Sequence, residues 1–255
     1  VFNKKAVFAG VALGFFMFMG FILQTAGLKY TTATKSGFIT GTAVVMIPFL
    51  QTIIEKRPPT KGALIGTLLV LIGILFLTTG GSNVFVFINQ LGSNFNFGDL
   101  LTLICAVFFA LYVVYLDIIT NKYDFWLLVF LQIATTSILG FVSAVFFSAT
   151  GIEEIHFEYS NYLLFGLLYT ALLASLAATL ILTKFQKNVS PTKAGIIYSF
   201  EPVFGAIFAF FLLSEKITNF GIIGSILIFT GLVVSEVYEN WVKYYGRKRV
   251  QSKNI

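Results

Sequence analysis

The stretch Val189–Thr218, "VSPTKAGIIYSFEPVFGAIFAFFLLSEKIT", sets a glutamate and a proline side by side, Glu201 and Pro202, inside a run that is otherwise almost wholly apolar. Its opening has a counterpart earlier in the chain. "VSPTKAGII" (Val189–Ile197) matches "TTATKSGFI" (Thr31–Ile39) at Thr192/Thr34, Lys193/Lys35, Gly195/Gly37 and Ile197/Ile39. Each pair is 158 residues apart, and the same separation, without a gap, pairs Thr60 with Thr218, Ile65 with Ile223, Gly66 with Gly224 and Gly73 with Gly231. Matched Gly and Lys positions sustained at one separation identify an internal repeat.

Composition says what solvent the repeat is built for. Of 255 residues, 57% are hydrophobic, 17% aromatic and only 11% charged. A soluble domain carries about 25% charged residues, and so few charges cannot cover a surface of this size against water. Lipid tolerates the excess. Eight apolar segments each approach the ~20 residues that cross a bilayer core: 6–27, 37–54, 62–79, 100–119, 125–147, 162–183, 194–213 and 220–236. They are expected to be helices, because a lone strand leaves its backbone unsatisfied in lipid. The fold class is therefore an all-α integral membrane protein, a multi-pass bundle. Residues 1–80 form a first repeat of three helices and 99–240 a second of five. Residues 81–98, rich in Gly and Asn and free of Lys and Arg, form an external linker loop; 241–255 form a basic cytoplasmic tail.

Orientation follows from the bias of Lys and Arg toward the cytoplasmic side. With the tail "KYYGRKRVQSK" inside and eight spans, both termini are cytoplasmic; fourteen of the seventeen basic residues then lie inside and only Lys29, Lys35 and Lys216 outside. The net charge of +6 is thus topological. It implies no nucleic-acid partner, although the tail can touch anionic lipid. Each segment of the first copy recurs five segments later in the second. That number is odd, so the copies are inverted, as in many secondary transporters. If the repeat unit is five helices, the chain corresponds to a ten-helix parent without its first two.

"GLKYTTATKSGFITGTAVVMIPFLQTIIEKRPP" (Gly27–Pro59) and the stretch quoted first share a small, Thr-rich entry, a mid-helix proline and an acidic–basic pair at the exit. They are followed by "GTLLVLIGILFL" (Gly66–Leu77) and "GSILIFTGLVV" (Gly224–Val234). In these features the chain resembles the EamA group of the drug/metabolite transporter superfamily. The resemblance implies a ten-helix inverted-repeat fold, cytoplasmic termini, a central cavity, and export or exchange of a small metabolite such as an amino acid, in a bacterial plasma membrane.

If its helix starts near Lys193, Glu201 lies about 12 Å in at ~1.5 Å per residue, close to the middle of a core ~30 Å thick. A carboxylate there should face the bundle interior or water. Pro202 donates nothing to the carbonyl of Tyr198, and a freed carbonyl at that depth needs protein or water. Both point to a wet interior cavity; the alternative is a neutral, hydrogen-bonded glutamate that locks packing. A protonatable group at that depth also raises proton coupling as an option. Pro48 frees the carbonyl of Val44 in the same way, so Pro48 and Pro202 are expected as broken-helix hinges, four residues out of repeat register. Tyr198, Gln24, Thr40, Tyr112 and Tyr115 are further candidates to line a substrate cavity. Asp117 reads as an end residue beside Lys122; Lys35 and Lys193 are expected to snorkel to the interface. Gly10/Gly14, Gly37/Gly41 and Gly62/Gly66 read as close helix contacts.

Cys105 and His156 are the only residues of their kinds, so the usual zinc clusters are not available. No nucleotide-binding GxxxxGK[ST] occurs. No catalytic residue, metal or cofactor is expected, and the leading reading is a secondary transporter of a small-molecule solute working in the lipid bilayer. Two other classes stay open: a non-transporting membrane partner, and an integral-membrane enzyme acting on lipids, for which a nucleophile–base pair is missing. Neither the solute nor the oligomeric state follows from the residues.

Overall fold

A computed structural model describes residues 3–79, 83–93, 95–153, 158–213 and 218–251. Every regular element among them is helical: α1 (Lys4–Leu28), α2 (Ala33–Gly41), α3 (Ala43–Glu55), α4 (Lys61–Thr78), α5 (Val84–Ser93), α6 (Phe97–Thr120), α7 (Phe125–Ala149), α8 (Asn161–Tyr169), α9 (Ala178–Phe185), α10 (Pro191–Tyr198), α11 (Glu201–Leu213) and α12 (Asn219–Gln251). A π-helical stretch, Thr170–Ala177, joins α8 to α9.

The helix starts are written in the polar separators. Thr32, Thr60, Asp124 and Ser160 each accept a hydrogen bond from the backbone N–H three residues on, at 3.0–3.2 Å. Each satisfies an amide that the helix itself leaves without an acceptor. Asn96 and Asp99 cap α6 reciprocally: each side chain accepts from the other's backbone N–H at 3.0 Å, the geometry of a capping box.

Among the described residues, seven helical spans are long and apolar enough to cross a membrane. They coincide with seven of the eight expected segments. The eighth, 194–213, is not one helix but two, α10 and α11, parted at Ser199 and Phe200. Two further differences concern the ends of elements. Residues 81–98 were expected to be a loop, but α5 occupies 84–93; Phe87 is buried and stands edge-on to Phe38 at 5.6 Å, which gives a short amphipathic helix something to fold against. The basic tail is likewise helical as far as Gln251, because α12 continues for 33 residues.

The chain packs as two compact units, 1–22 with 115–190 and 23–114 with 191–255. In the first unit, α1 meets α7 through glycines. A Cβ on Gly10 would fall 2.7 Å from Leu131 and one on Gly14 2.5 Å from Thr135, and Thr136 donates to the Gly14 carbonyl at 2.9 Å. Gln132, fully buried, donates to Thr183 at 2.8 Å. Such small-residue contacts and interhelical hydrogen bonds are what hold helices together in lipid, where burial of apolar surface drives little.

In the second unit, α4 and α12 cross antiparallel at two glycine pairs, Gly66 with Gly231 and Gly73 with Gly224. Val70 and Ile228, both fully buried, sit between those crossings and join Val44, Ile74, Ile196 and Val203 in one apolar core. α3 packs on α10, where a Cβ on Gly195 would lie 2.6 Å from Ile47.

Candidate functional site

Two of the helices in the second unit are broken, and the breaks correspond. One lies at Thr42, between α2 and α3; the other lies at Ser199 and Phe200, between α10 and α11. Thr42 and Phe200 are 158 residues apart, the separation of the sequence repeat. A proline follows each break. Its ring clashes with the carbonyl four residues earlier, and it offers that carbonyl no N–H. Pro202 so disturbs Tyr198, the last residue of α10. Pro48 so disturbs Val44, just past Thr42, while Pro48 itself is buried inside continuous α3. The helix expected to break at Pro48 parts instead at Thr42. The prolines are out of register, yet the breaks are in register. At the breaks the backbone closes tighter turns: Thr42 N–H is shared by the carbonyls of Phe38 and Ile39, and Phe200 N–H donates to Ile197 at 3.1 Å.

The ends of the broken helices carry polar side chains that meet α1 and α6. Thr40, two residues before the first break, accepts from Gln24 Nε2 at 3.2 Å and lies beside the Cys105 thiol. Tyr198, at the second break, lies near buried Tyr112. Cys105 and Tyr112 are seven residues apart on α6, hence on one face. Four of the expected site residues, Gln24, Thr40, Tyr112 and Tyr198, therefore lie where α6 passes the broken helices, and Gln24 and Thr40 are hydrogen-bonded to each other. Half-buried hydroxyls and amides of this kind can bind and orient a polar solute; they supply no nucleophile–base pair for a covalent reaction.

Tyr115 lies in the other unit, stacked edge-on against Phe16 at 5.7 Å. Glu201 is exposed at the first turn of α11, while Val203 on the same turn is buried. The carboxylate thus stands at the positive end of the α11 dipole. Pro202 is half-buried. Asp117 hydrogen-bonds through its backbone carbonyl to Asn121 at 3.1 Å. Residue 156, the histidine, lies outside the described residues. Among the described residues no group of three potential ligands could hold a metal ion.

Two polar clusters of the second unit were not anticipated. The first is centred on Asp99, whose side chain has no exposure. Asp99 Oδ2 accepts from Lys35 Nζ at 2.6 Å and from Asn96 N–H at 3.0 Å, and Oδ1 accepts from Thr31. Lys35 is therefore held by a buried carboxylate rather than left to snorkel. Lys193, its repeat equivalent, is also paired, with Glu236 at 2.7 Å. The second cluster joins α3 to α10. Buried Gln51 accepts from both N–H and Oγ1 of Thr192, at 3.2 and 2.6 Å, and donates to the Arg57 carbonyl at 3.2 Å. The only prior signal for Asp99 was an acid three residues after an asparagine at the head of an apolar run, which is a capping pattern.

Paired helix breaks with polar side chains beside them thus lie in a bundle of membrane-length helices. Comparison with known proteins gives the family. Residues 1–79 and 96–236 match the EamA-like transporter family, and the chain belongs to that family. It is 31% identical over 225 residues to an uncharacterized transporter of Archaeoglobus fulgidus, covering 88% of this chain and 67% of that protein. It is 27% identical over 245 residues to the uncharacterized transporter YetK of Bacillus subtilis, covering 92% of this chain and 69% of YetK. The chain thus spans about two thirds of the length of these relatives. A solved crystal structure matches with a TM-score of 0.72 at 15% identity, over 93% of this chain and 77% of that one; at that identity the likeness concerns the fold alone. The chain is an integral membrane protein of a transporter family, and these findings point away from an enzyme.

Proposed function

We propose that this chain carries out secondary transport of a small organic metabolite, exporting or exchanging it by alternating access between inverted repeats. The observation that supports this best is the placement of the two helix breaks, Thr42 and Phe200, at the repeat separation, with polar side chains of Thr40 and Tyr198 beside them. Interrupted helices in corresponding halves are the feature that in secondary transporters surrounds the substrate. Gln24, Thr40, Tyr112 and Tyr198 would contact the solute, and Glu201 would face it or carry a coupled proton.

Both termini are assigned to the cytoplasmic side of the plasma membrane. Cys105 is the only cysteine and is buried, so introduced thiols report topology cleanly. With a membrane-impermeant maleimide, Tyr159→Cys should label in intact cells and Lys184→Cys only after permeabilisation. The opposite pattern would reverse the orientation.

The functional test is exchange of a labelled mixture of amino acids and other metabolites in inverted membrane vesicles, for wild type and Glu201→Gln. Wild-type exchange that the substitution abolishes, with insertion unchanged, supports the reading. Undiminished exchange in Glu201→Gln at every pH removes proton coupling through Glu201. No exchange by well-folded wild type would favour a non-transporting membrane partner.

A further inference from the structure

We propose that the first unit carries a binding site for an anionic phospholipid, formed between the start of α1 and the end of α6. A cavity of about 390 Å³ opens there, and its polar lining is Lys4, Lys5, Lys122, Tyr115 and Tyr123. Three ammonium groups and two phenols line it without a single carboxylate. The cavity is therefore a concentration of positive charge and hydrogen-bond donors, the chemistry that recognises a phosphodiester.

Its apolar surroundings say what the phosphate is attached to. A second depression of about 400 Å³ shares Lys4 and Phe8 with the first and continues along α1 past Val7 and Val11. Phe8 is 72% exposed at the junction. A basic mouth that runs into an apolar groove along a membrane-length helix fits a headgroup and the acyl chain below it. A free anion would leave the groove without a function. Basic pockets between helices near the membrane surface hold anionic lipid headgroups in this way.

The site is built on ordered backbone. Asn3 caps α1 by accepting from Lys5 N–H at 3.0 Å. Tyr115 is fixed by its edge contact with Phe16, and Lys122 follows the last turn of α6, its N–H bonded to the Ile119 carbonyl at 2.9 Å.

The test uses the full chain in nanodiscs of phosphatidylcholine containing a minor fraction of spin-labelled phosphatidylglycerol or spin-labelled phosphatidylcholine. Relative association of each probe is read from the motionally restricted fraction by electron paramagnetic resonance. Phosphatidylglycerol should be preferred, and Lys122→Gln should lower that preference about fivefold, the weight of one basic residue at a membrane surface. Lys184→Gln is the control: Lys184 lies in the same unit over the Phe185 ring at 5.6 Å and does not line the cavity. If both substitutions act equally, diffuse surface charge explains the preference and the site is overturned. It is equally overturned if the wild type shows no preference. Glycerol 3-phosphate, added against chloride of equal ionic strength, should not release the lipid; release would assign the cavity to a soluble phosphate instead.

Discussion

Gly66 and Gly231 approach each other reciprocally: a Cβ on Gly66 would fall 2.5 Å from the Gly231 carbonyl oxygen, and one on Gly231 would fall 2.7 Å from the Gly66 carbonyl oxygen. Gly73 and Gly224 do the same, at 2.7 and 2.5 Å. Gly66 and Gly73 are the repeat equivalents of Gly224 and Gly231, so each crossing joins one glycine to the equivalent of the other. A contact in which i meets j′ and j meets i′ is what a two-fold axis produces, and here it would run between α4 and α12. The obstacle at each site is backbone, which cannot rotate aside. Gly66→Ala and Gly231→Ala should each cost about 1–3 kcal/mol. The double variant should depart from additivity, because both changes open the same crossing. Unfolding in detergent followed by circular dichroism measures this; single variants as stable as wild type would refute the close approach.

Asp99→Asn should destabilise the second unit by about 3–5 kcal/mol, the cost of removing one partner from a buried ion pair. Lys35→Met in the same chain should recover part of the loss, since it removes the charge left behind. A double-mutant cycle on unfolding reads the coupling. Glu236→Gln, which removes a carboxylate that is 55% exposed beside Lys193, should cost at most about 1 kcal/mol.

Gln51→Leu would leave Thr192, which is fully buried, without the oxygen that both its N–H and its hydroxyl use. A loss of about 1–3 kcal/mol is expected. Hydrogen exchange should show it locally, as faster exchange at the start of α10 with α7 unchanged. Uniform acceleration through the chain would argue against a specific α3–α10 bridge.

Tyr198→Phe keeps the ring and removes one hydroxyl. Because the ring keeps its packing, the unfolding midpoint should stay near that of wild type. Apparent affinity for the transported solute should weaken about 2–10-fold, the worth of one ordinary hydrogen bond at about 0.5–1.5 kcal/mol. Thr40→Val should behave alike. Loss of stability with unchanged affinity in either variant would assign these hydroxyls to packing.

Much of this architecture is legible before any coordinate is known. Lipid as the solvent follows from the scarcity of charge, seven of the spans from segment length, and the repeat from Gly, Lys and Thr held at one separation. Those are one-dimensional properties, and helices in lipid must satisfy their backbones locally, so sequence distance maps directly onto structure. The prolines likewise mark both helices that break.

Tertiary contact decided the rest. A proline specifies which carbonyl it disturbs, but packing selects where the helix parts, and so the breaks fall at Thr42 and Phe200 rather than at matching distances from Pro48 and Pro202. Lys35 reads as an interfacial lysine until Asp99, 64 residues away, closes on it at 2.6 Å. Glu201 reads as enclosed by depth alone, yet on α11 it is exposed while Val203 on the same turn takes the core. Depth along a helix is set by the local chain. Which face meets which partner is set by residues distant in sequence, and only their packing in three dimensions determines it.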